Sequence, residues 1–187
     1  MKRVIVAITG ASGSIYGIRA LELLATLDDI ETHLVISPSA KTTIAVEVEH
    51  SVAEIEALAD VVHGHRDIGA PISSGSFRTA GMLVAPCSIK TLSAVANSYS
   101  NDLIARSADV TLKERRPLVL MVRETPFHGG HLRQMQNASD AGAIIYPPVP
   151  AFYNEPATID DIVNHTVARA LEHLDVDVGD IKRWHGG

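Results

Sequence analysis

The residues best placed to do chemistry come early in the chain. Gly10-Ala-Ser-Gly-Ser-Ile-Tyr-Gly17 follows directly on the apolar run at residues 4–8. A buried strand feeding a small-residue turn and then a helix points several backbone N–H groups at one spot. That spot sits at the positive end of the helix dipole, where an anion is held. The pattern resembles the dinucleotide fingerprint Gly-x-Gly-x-x-Gly but departs from it twice. Ser12 stands at the middle glycine, and the last glycine comes late, at Gly17. Ser12 adds a hydroxyl donor where a pyrophosphate would need bare backbone. The turn therefore reads as a site for one terminal phosphate, built from Gly10, Ala11 and Ser12, with a purely structural turn as the alternative.

Other strand ends carry related groups. A dinucleotide fold usually ends its second strand on Asp or Glu to hold a ribose diol. Here the residue is Ser37, which suits a polyol or phosphate contact, or a helix cap. Pro86-Cys-Ser-Ile-Lys-Thr91 repeats the first design, and Ser88 and Thr91 can hydrogen-bond a phosphate or the edge of a heteroaromatic ring. Cys87 follows a buried strand with no activating base beside it in sequence, so it is expected to pack rather than react. Arg106, Lys113, Arg115, Arg116 and Arg123 form a cationic group in an acidic chain, and Arg106 and Lys113, seven apart, share a helix face. Arg123-Glu124 offers a fixed cation beside a carboxylate acid or base, or a simple ion pair. His63-Gly-His65 and His128-x-x-His131 lack a third ligand, so no metal is expected. The aspartate pairs lack the spacing that binds magnesium pyrophosphate. A phosphate leaving group would have to be neutralised by Lys and Arg.

Strands and helices alternate around these groups. Strands are expected at 4–8, 31–36, 82–85, 118–122 and 143–146. Helices are expected at 15–27, 37–49, 52–62, 88–96, 102–114, 131–141 and 159–174, the last capped by Thr158 with Asp160 and Asp161 in its first turn. Residues 64–79 read as a loop and 147–153 as a proline-rich loop. Such alternation implies a doubly wound, Rossmann- or flavodoxin-like parallel sheet flanked by helices. Its ligands lie beyond the carboxyl ends of the strands.

Composition bounds the function. The chain has 187 residues, 46% hydrophobic and 20% charged, with 4% aromatic. This is a globular composition with room for one full core, so a single domain over 1–187 is expected. A net charge of −6 argues against nucleic acid or an anionic membrane as partner. One cysteine excludes an internal disulfide. No run approaches the ~20 apolar residues of a membrane span, and the N-terminus lacks a signal-peptide layout, so a cytoplasmic location is expected.

Taken together, the chain resembles the UbiX-type flavin prenyltransferases, including the small subunits associated with hydroxyarylic acid decarboxylases. The resemblance runs nearly end to end. It is carried by Gly10-Ala-Ser-Gly13 with Tyr16-Gly17, Ser37, Glu47, Ser74-Gly-Ser76, Pro86-Cys-Ser88 and Thr91-Leu-Ser-Ala94. Ala108-Asp-Val-Thr-Leu-Lys-Glu-Arg-Arg-Pro117, Arg123-Glu124, Pro126, His131-Leu132, Pro150-Ala-Phe-Tyr153, Val167-Ala-Arg169 and Arg183-Trp184 continue it. It implies transfer of a dimethylallyl group from dimethylallyl monophosphate to N5 and C6 of reduced FMN, closing a fourth ring without a metal. The product, prenylated FMN, serves a UbiD-type aromatic acid decarboxylase. The implied FMN contacts are Gly10, Ala11, Ser12, Ser37, Ser88, Ile89, Lys90, Thr91 and Arg123. Tyr153 and Arg169 are the implied prenyl-phosphate contacts, with Arg106, Lys113 and Glu124 completing the polar pocket and Glu47 nearby. The resemblance also implies a homo-oligomer, a dodecamer with sites near subunit contacts, with the segment from about 150 to 187 packing on neighbouring subunits.

Five positions in three places depart from the family pattern: Gly129-Gly130, Gln134 and Asn97-Ser98. They bear on loop rigidity or a subunit contact and remove no mapped residue, so an active enzyme is expected. Two alternatives remain. An FMN-dependent cysteine decarboxylase would carry a Pro-Ala-Ser-Ala-Asn-Thr-like segment and a Met-Asn pair, and the chain has neither. A non-catalytic flavin carrier would have no need of Lys113, Glu124 and Arg169.

Overall fold

A computed structural model describes residues 1–179; Arg183-Trp184 lies outside the described residues. The chain runs β1 (Lys2–Ile8), α1 (Ser14–Leu24), β2 (Ile30–Ile36), α2 (Pro38–Glu47), α3 (Val52–Glu56), β3 (Val61–His63), β4 (Gly81–Cys87), α4 (Ile89–Ala96), α5 (Leu103–Lys113), β5 (Leu118–Val122), α6 (Gly129–Asp140), β6 (Ile144–Ile145) and α7 (Ile159–Glu172). A single 3-10 turn, Pro71–Ser73, interrupts the loop before β4. All strand pairs are parallel, in the order β3-β2-β1-β4-β5-β6. This is the doubly wound arrangement expected from the alternation, and its order reverses between β1 and β4.

The central strands are continuous apolar runs because both faces are covered. Successive side chains take opposite sides. Val4, Val6 and Ile8 join a core layer with Ile18 and Leu21 of α1 and Val167 and Leu171 of α7. Ile5 and Ala7 join the opposite layer with Leu92 of α4 and Ile104 and Ala108 of α5. The late glycine of the first turn belongs to this packing. A Cβ on Gly17 would stand 2.3 Å from the Ala85 carbonyl oxygen and 2.7 Å from Ile8 Cγ1, so α1 lies directly against the β1–β4 seam. Gly17→Ala is expected to cost about 1–3 kcal/mol of stability through overpacking, read as a lowered midpoint in thermal or urea unfolding.

One element differs from expectation. The helix expected over 52–62 ends at Glu56, and 61–63 form the edge strand β3. The cause is tertiary: the Asp60 carboxylate accepts from the Thr32 N–H at 2.7 Å and from its hydroxyl at 2.9 Å, while Asp60 N–H donates to Thr32 Oγ1. That reciprocal tie anchors the chain to β2 and leaves 61–63 in register with it. The cap on α7 forms as expected. Thr158 and Asp161 make a capping box.

Candidate active site at the strand switch

Hydrogen bonds lock the carboxyl ends of four strands together. Ser37 N–H donates to the Ile8 carbonyl, and Arg123 N–H donates to the Cys87 carbonyl. Between them, the Thr9 hydroxyl donates to the Pro86 carbonyl at 2.7 Å and accepts from Ser88 N–H at 2.8 Å. Helices start from this platform. Ser37 caps α2 by accepting from Ala40 N–H, Ser88 caps α4 by accepting from Thr91 N–H, and Asp102 caps α5 by accepting from Ala105 N–H. The α2, α4 and α5 N-termini thus border one cavity of about 310 Å³, which includes Gly10, Ser39, His65, Lys90 and Thr91 in its lining. Ser37 is both cap and cavity residue, so the two readings of its side chain hold together.

A second cavity of about 380 Å³ adjoins the first along Gly10, Ser39, Ser88 and Lys90, and adds Ala11, Ser12, Ile89, Arg123 and Glu124. Ser12, Arg123 and Glu124 also border a third chamber of about 500 Å³, walled by apolar side chains of α1, α7 and the 147–149 segment. The three together form a trough across the β1–β4 switch, polar at one end and apolar at the other. Glycine is needed at position 10, where a Cβ would stand 2.3 Å from that of Ser39. α7 closes the apolar end because Arg19 of α1 clamps its first turns, donating to Asp160 Oδ1 at 2.5 Å and Asn164 Oδ1 at 2.7 Å.

At the start of α1 two of the N–H donors expected to face an anion are already taken. The Glu47 carboxylate accepts from Gly13 N–H at 2.8 Å and from Ser14 N–H at 3.1 Å. An internal anion therefore already occupies those donors, whereas the starts of α2 and α4 are capped by the neutral hydroxyls of Ser37 and Ser88. Desolvation pushes the Glu47 carboxyl up, but hydrogen bonds from the Ser12 hydroxyl and the Gly13 and Ser14 N–H groups outweigh it and hold the group below the ordinary glutamate range. A depressed carboxyl contributes stability above the unfolded pKa of about 4.3, and loses it as the pH falls through the folded value. Glu47→Gln is expected to cost about 0.3–1 kcal/mol at pH 7. In thermal melts the gap to the unsubstituted protein should close as the pH falls below that unfolded value.

The remaining expected residues divide into two groups away from the trough. Arg106 donates to the Ser73 carbonyl and pairs with Asp109 at 3.0 Å. Lys113 pairs with Glu114 at 2.5 Å beside Gly75. The α5 start lines the trough, but Lys113 is ten residues further on, about 15 Å along a helix. Within one copy these cations do not complete the polar pocket. Tyr153 and Arg169 both lie near Tyr146, in another cluster. Tyr153 Oη hydrogen-bonds His165 Nε2 at 3.1 Å, and Arg169 shares the His165 face of α7, pairing with Glu172. Burial pushes the neighbouring Tyr146 hydroxyl up, opposed by the Arg169 charge. Cys87 is buried, which pushes its thiol up to about 12, in keeping with a packing role.

Comparison with known proteins reads this geometry. The Flavoprotein family model matches residues 1–171. The flavin prenyltransferase UbiX of Salmonella typhimurium is 57% identical over 188 residues, covering 100% of both chains. The chain belongs to the UbiX-type flavin prenyltransferases. Two solved structures share its fold closely. The crystal structure of AnUbiX (PadA1) in complex with FMN and dimethylallyl pyrophosphate has a TM-score of 0.96 at 50% identity, covering 100% of this chain and 98% of that one. A dodecameric FMN-dependent Ubix-like decarboxylase from Escherichia coli O157:H7 has a TM-score of 0.95 at 48% identity, covering 98% and 100%.

Several trough residues of this flavin prenyltransferase chain were given no role by its motifs. His65 Nε2 lies 3.4 Å from Asp102 Oδ2, while its Nδ1 is buried with no partner among the described residues. Asp102 was legible as a helix start, His65 only as half of a metal-like pair. Tyr16 and Phe127 wall the apolar chamber. Two departures from the family pattern form a single contact, since Asn97 Nδ2 donates to Gln134 Oε1 at 3.0 Å and joins α4 to α6. Among the described residues no cluster of His, Cys, Asp and Glu could hold a metal, and no helix is long and apolar enough to cross a membrane.

Proposed function

We propose that this chain prenylates reduced FMN, taking the dimethylallyl group from dimethylallyl monophosphate and joining it to N5 and C6 of the flavin with release of phosphate. The observation that carries this reading is the trough itself. Helix N-termini rich in hydroxyls stand at one end, Arg123 and Glu124 line the middle, and an apolar chamber lies beyond. The donor set fits a phosphorylated ring ligand. Gly10, Ala11, Ser12, Ser37, Ser88, Ile89, Lys90, Thr91 and Arg123 would hold FMN, with backbone N–H groups, hydroxyls and Lys90 able to meet its phosphate. Bound reduced FMN supplies nucleophilic ring positions and a π-face for the developing allyl cation.

The chain's own groups do the rest. Breaking the prenyl C–O bond builds negative charge on the phosphate, and Arg123, Lys113 and Arg169 are proposed to neutralise it in place of a metal, with Arg106 supporting them. Tyr153 hydrogen-bonds the phosphate. Glu124 holds or moves the proton exchanged with the leaving group or during ring closure. Glu47 and Ser12 would fix the turn that lines the flavin cavity and could pass a proton along their shared hydrogen bond. Arg106, Lys113, Tyr153 and Arg169 lie off the trough of their own copy, so we place them in the sites of neighbouring copies. In this reading the protein is a homo-oligomer, a dodecamer like its Escherichia coli O157:H7 relative. Its single flavoprotein domain contributes the segment from 150 onward to subunit contacts. The enzyme works in the cytoplasm and passes prenylated FMN to a UbiD-type decarboxylase.

Phosphate release tests the reaction class. Inorganic phosphate should appear only when reduced FMN and dimethylallyl monophosphate are both present, at a rate unchanged by EDTA. Release without flavin, or its loss with chelator, would overturn the proposal.

A further inference from the structure

The apolar chamber has one wall that is held in place unlike the others. At about 500 Å³ its volume alone would admit more than a five-carbon chain, so a limit on chain length has to come from where a wall stands. Val163 of α7 is buried, and Pro147 and Pro148 continue directly from β6. Val149 and Ile159 are 70% and 80% exposed, and Phe127 is 42% exposed. Phe127 is the large aromatic on the side of the Arg123–Glu124 pair, and a stack of rings supports it from behind. Its ring meets His131 edge-on at 6.4 Å, and His131 lies on His128 with ring centroids 3.7 Å apart. His128 in turn caps α6, its Nδ1 accepting from Gly130 N–H at 2.9 Å. A Cβ on Gly130 would stand 2.6 Å from His128 Cε1, so glycine at this position lets the stack form. One departure from the family pattern thus acquires a physical role: Phe127-His-Gly-Gly-His131 is a buttressed wall.

We propose that Phe127 sets the length of prenyl chain this site accepts, with His128 and His131 as positioning residues that keep its ring upright. The inference rests on the prenyl-transfer reading above. A wall at this point stops a chain anchored by its phosphate near Arg123, and removing the ring opens room for a second isoprene unit. Apolar pockets discriminate by about 10- to 200-fold per methylene of fit, so a whole ring is a large lever.

The test uses the full-length protein as isolated. Calorimetric titration of protein loaded with oxidised FMN, which cannot react, gives dissociation constants for dimethylallyl and geranyl monophosphate. Phe127→Ala should tighten the ten-carbon ligand relative to the five-carbon one by about tenfold or more. Phe127→Leu should shift the ratio less, and His128→Ala should shift it in the same direction by loosening the ring. With reduced FMN and both donors in competition, Phe127→Ala should release flavin carrying a ten-carbon increment while the unsubstituted protein adds five carbons. An unchanged binding ratio in Phe127→Ala and Phe127→Leu, with five-carbon transfer intact, would overturn the inference and leave the prenyltransferase reading standing. Absence of five-carbon product from the unsubstituted protein would overturn both.

Discussion

Glu124→Gln is expected to leave FMN binding intact and to slow prenyl transfer by about a hundredfold or more, within the range general acid–base groups contribute. The geometry makes this a clean substitution. Glu124 Oε1 accepts from the Thr125 N–H at 2.9 Å, and the glutamine carbonyl can accept the same bond, so the side chain keeps its place between the flavin cavity and the apolar chamber. What is lost is the charge and the transferable proton. Arg123 remains, so the flavin should still bind, which equilibrium titration of FMN fluorescence would verify. Unchanged turnover would remove Glu124 from the chemistry.

Lys113→Ala is expected to lower turnover by about 10²- to 10³-fold, the loss typical when one preorganised electrostatic donor is removed. Its FMN affinity should be unaltered, because Lys113 lies at the opposite end of α5 from the trough. The more telling result comes from mixing. If Lys113 acts in a neighbouring copy's site, co-assembly of Lys113→Ala chains with Glu124→Gln chains rebuilds sites that have both groups. In a symmetric assembly with equal, random mixing, about a quarter of sites are intact. Recovery of activity to roughly that share of the unsubstituted level is the expected outcome. No recovery from confirmed mixed oligomers would mean that the lysine serves its own chain, or none.

The sheet was legible because its strands obey simple rules. The runs at 4–8 and 118–122 are continuously apolar since both faces are buried, and the turn residues at 10–13 and 86–88 mark where each strand stops. The edge strand at 61–63 was not legible, because the tie that ends α3 is made by Thr32, 28 residues before Asp60. The site divides in the same way. Residues that follow directly on strands, such as Ser12, Ser88 and Arg123, came out of local pattern. Glu47 came only from family resemblance, since its task depends on α2 returning to the start of α1. His65 and Phe127 were missed for a related reason: each owes its place to rings and caps contributed from other parts of the chain or from the next helix. The α1 start shows what local pattern leaves out: a carboxylate 33 residues on takes the Ser14 N–H that the turn alone would point at a ligand.

The most direct test weighs the flavin. After anaerobic incubation of the protein with reduced FMN and dimethylallyl monophosphate, the flavin released by denaturation is measured by mass spectrometry. The predicted result is FMN heavier by one five-carbon prenyl unit. Unmodified FMN from folded, flavin-loaded protein would contradict prenyl transfer and leave a flavin carrier in its place.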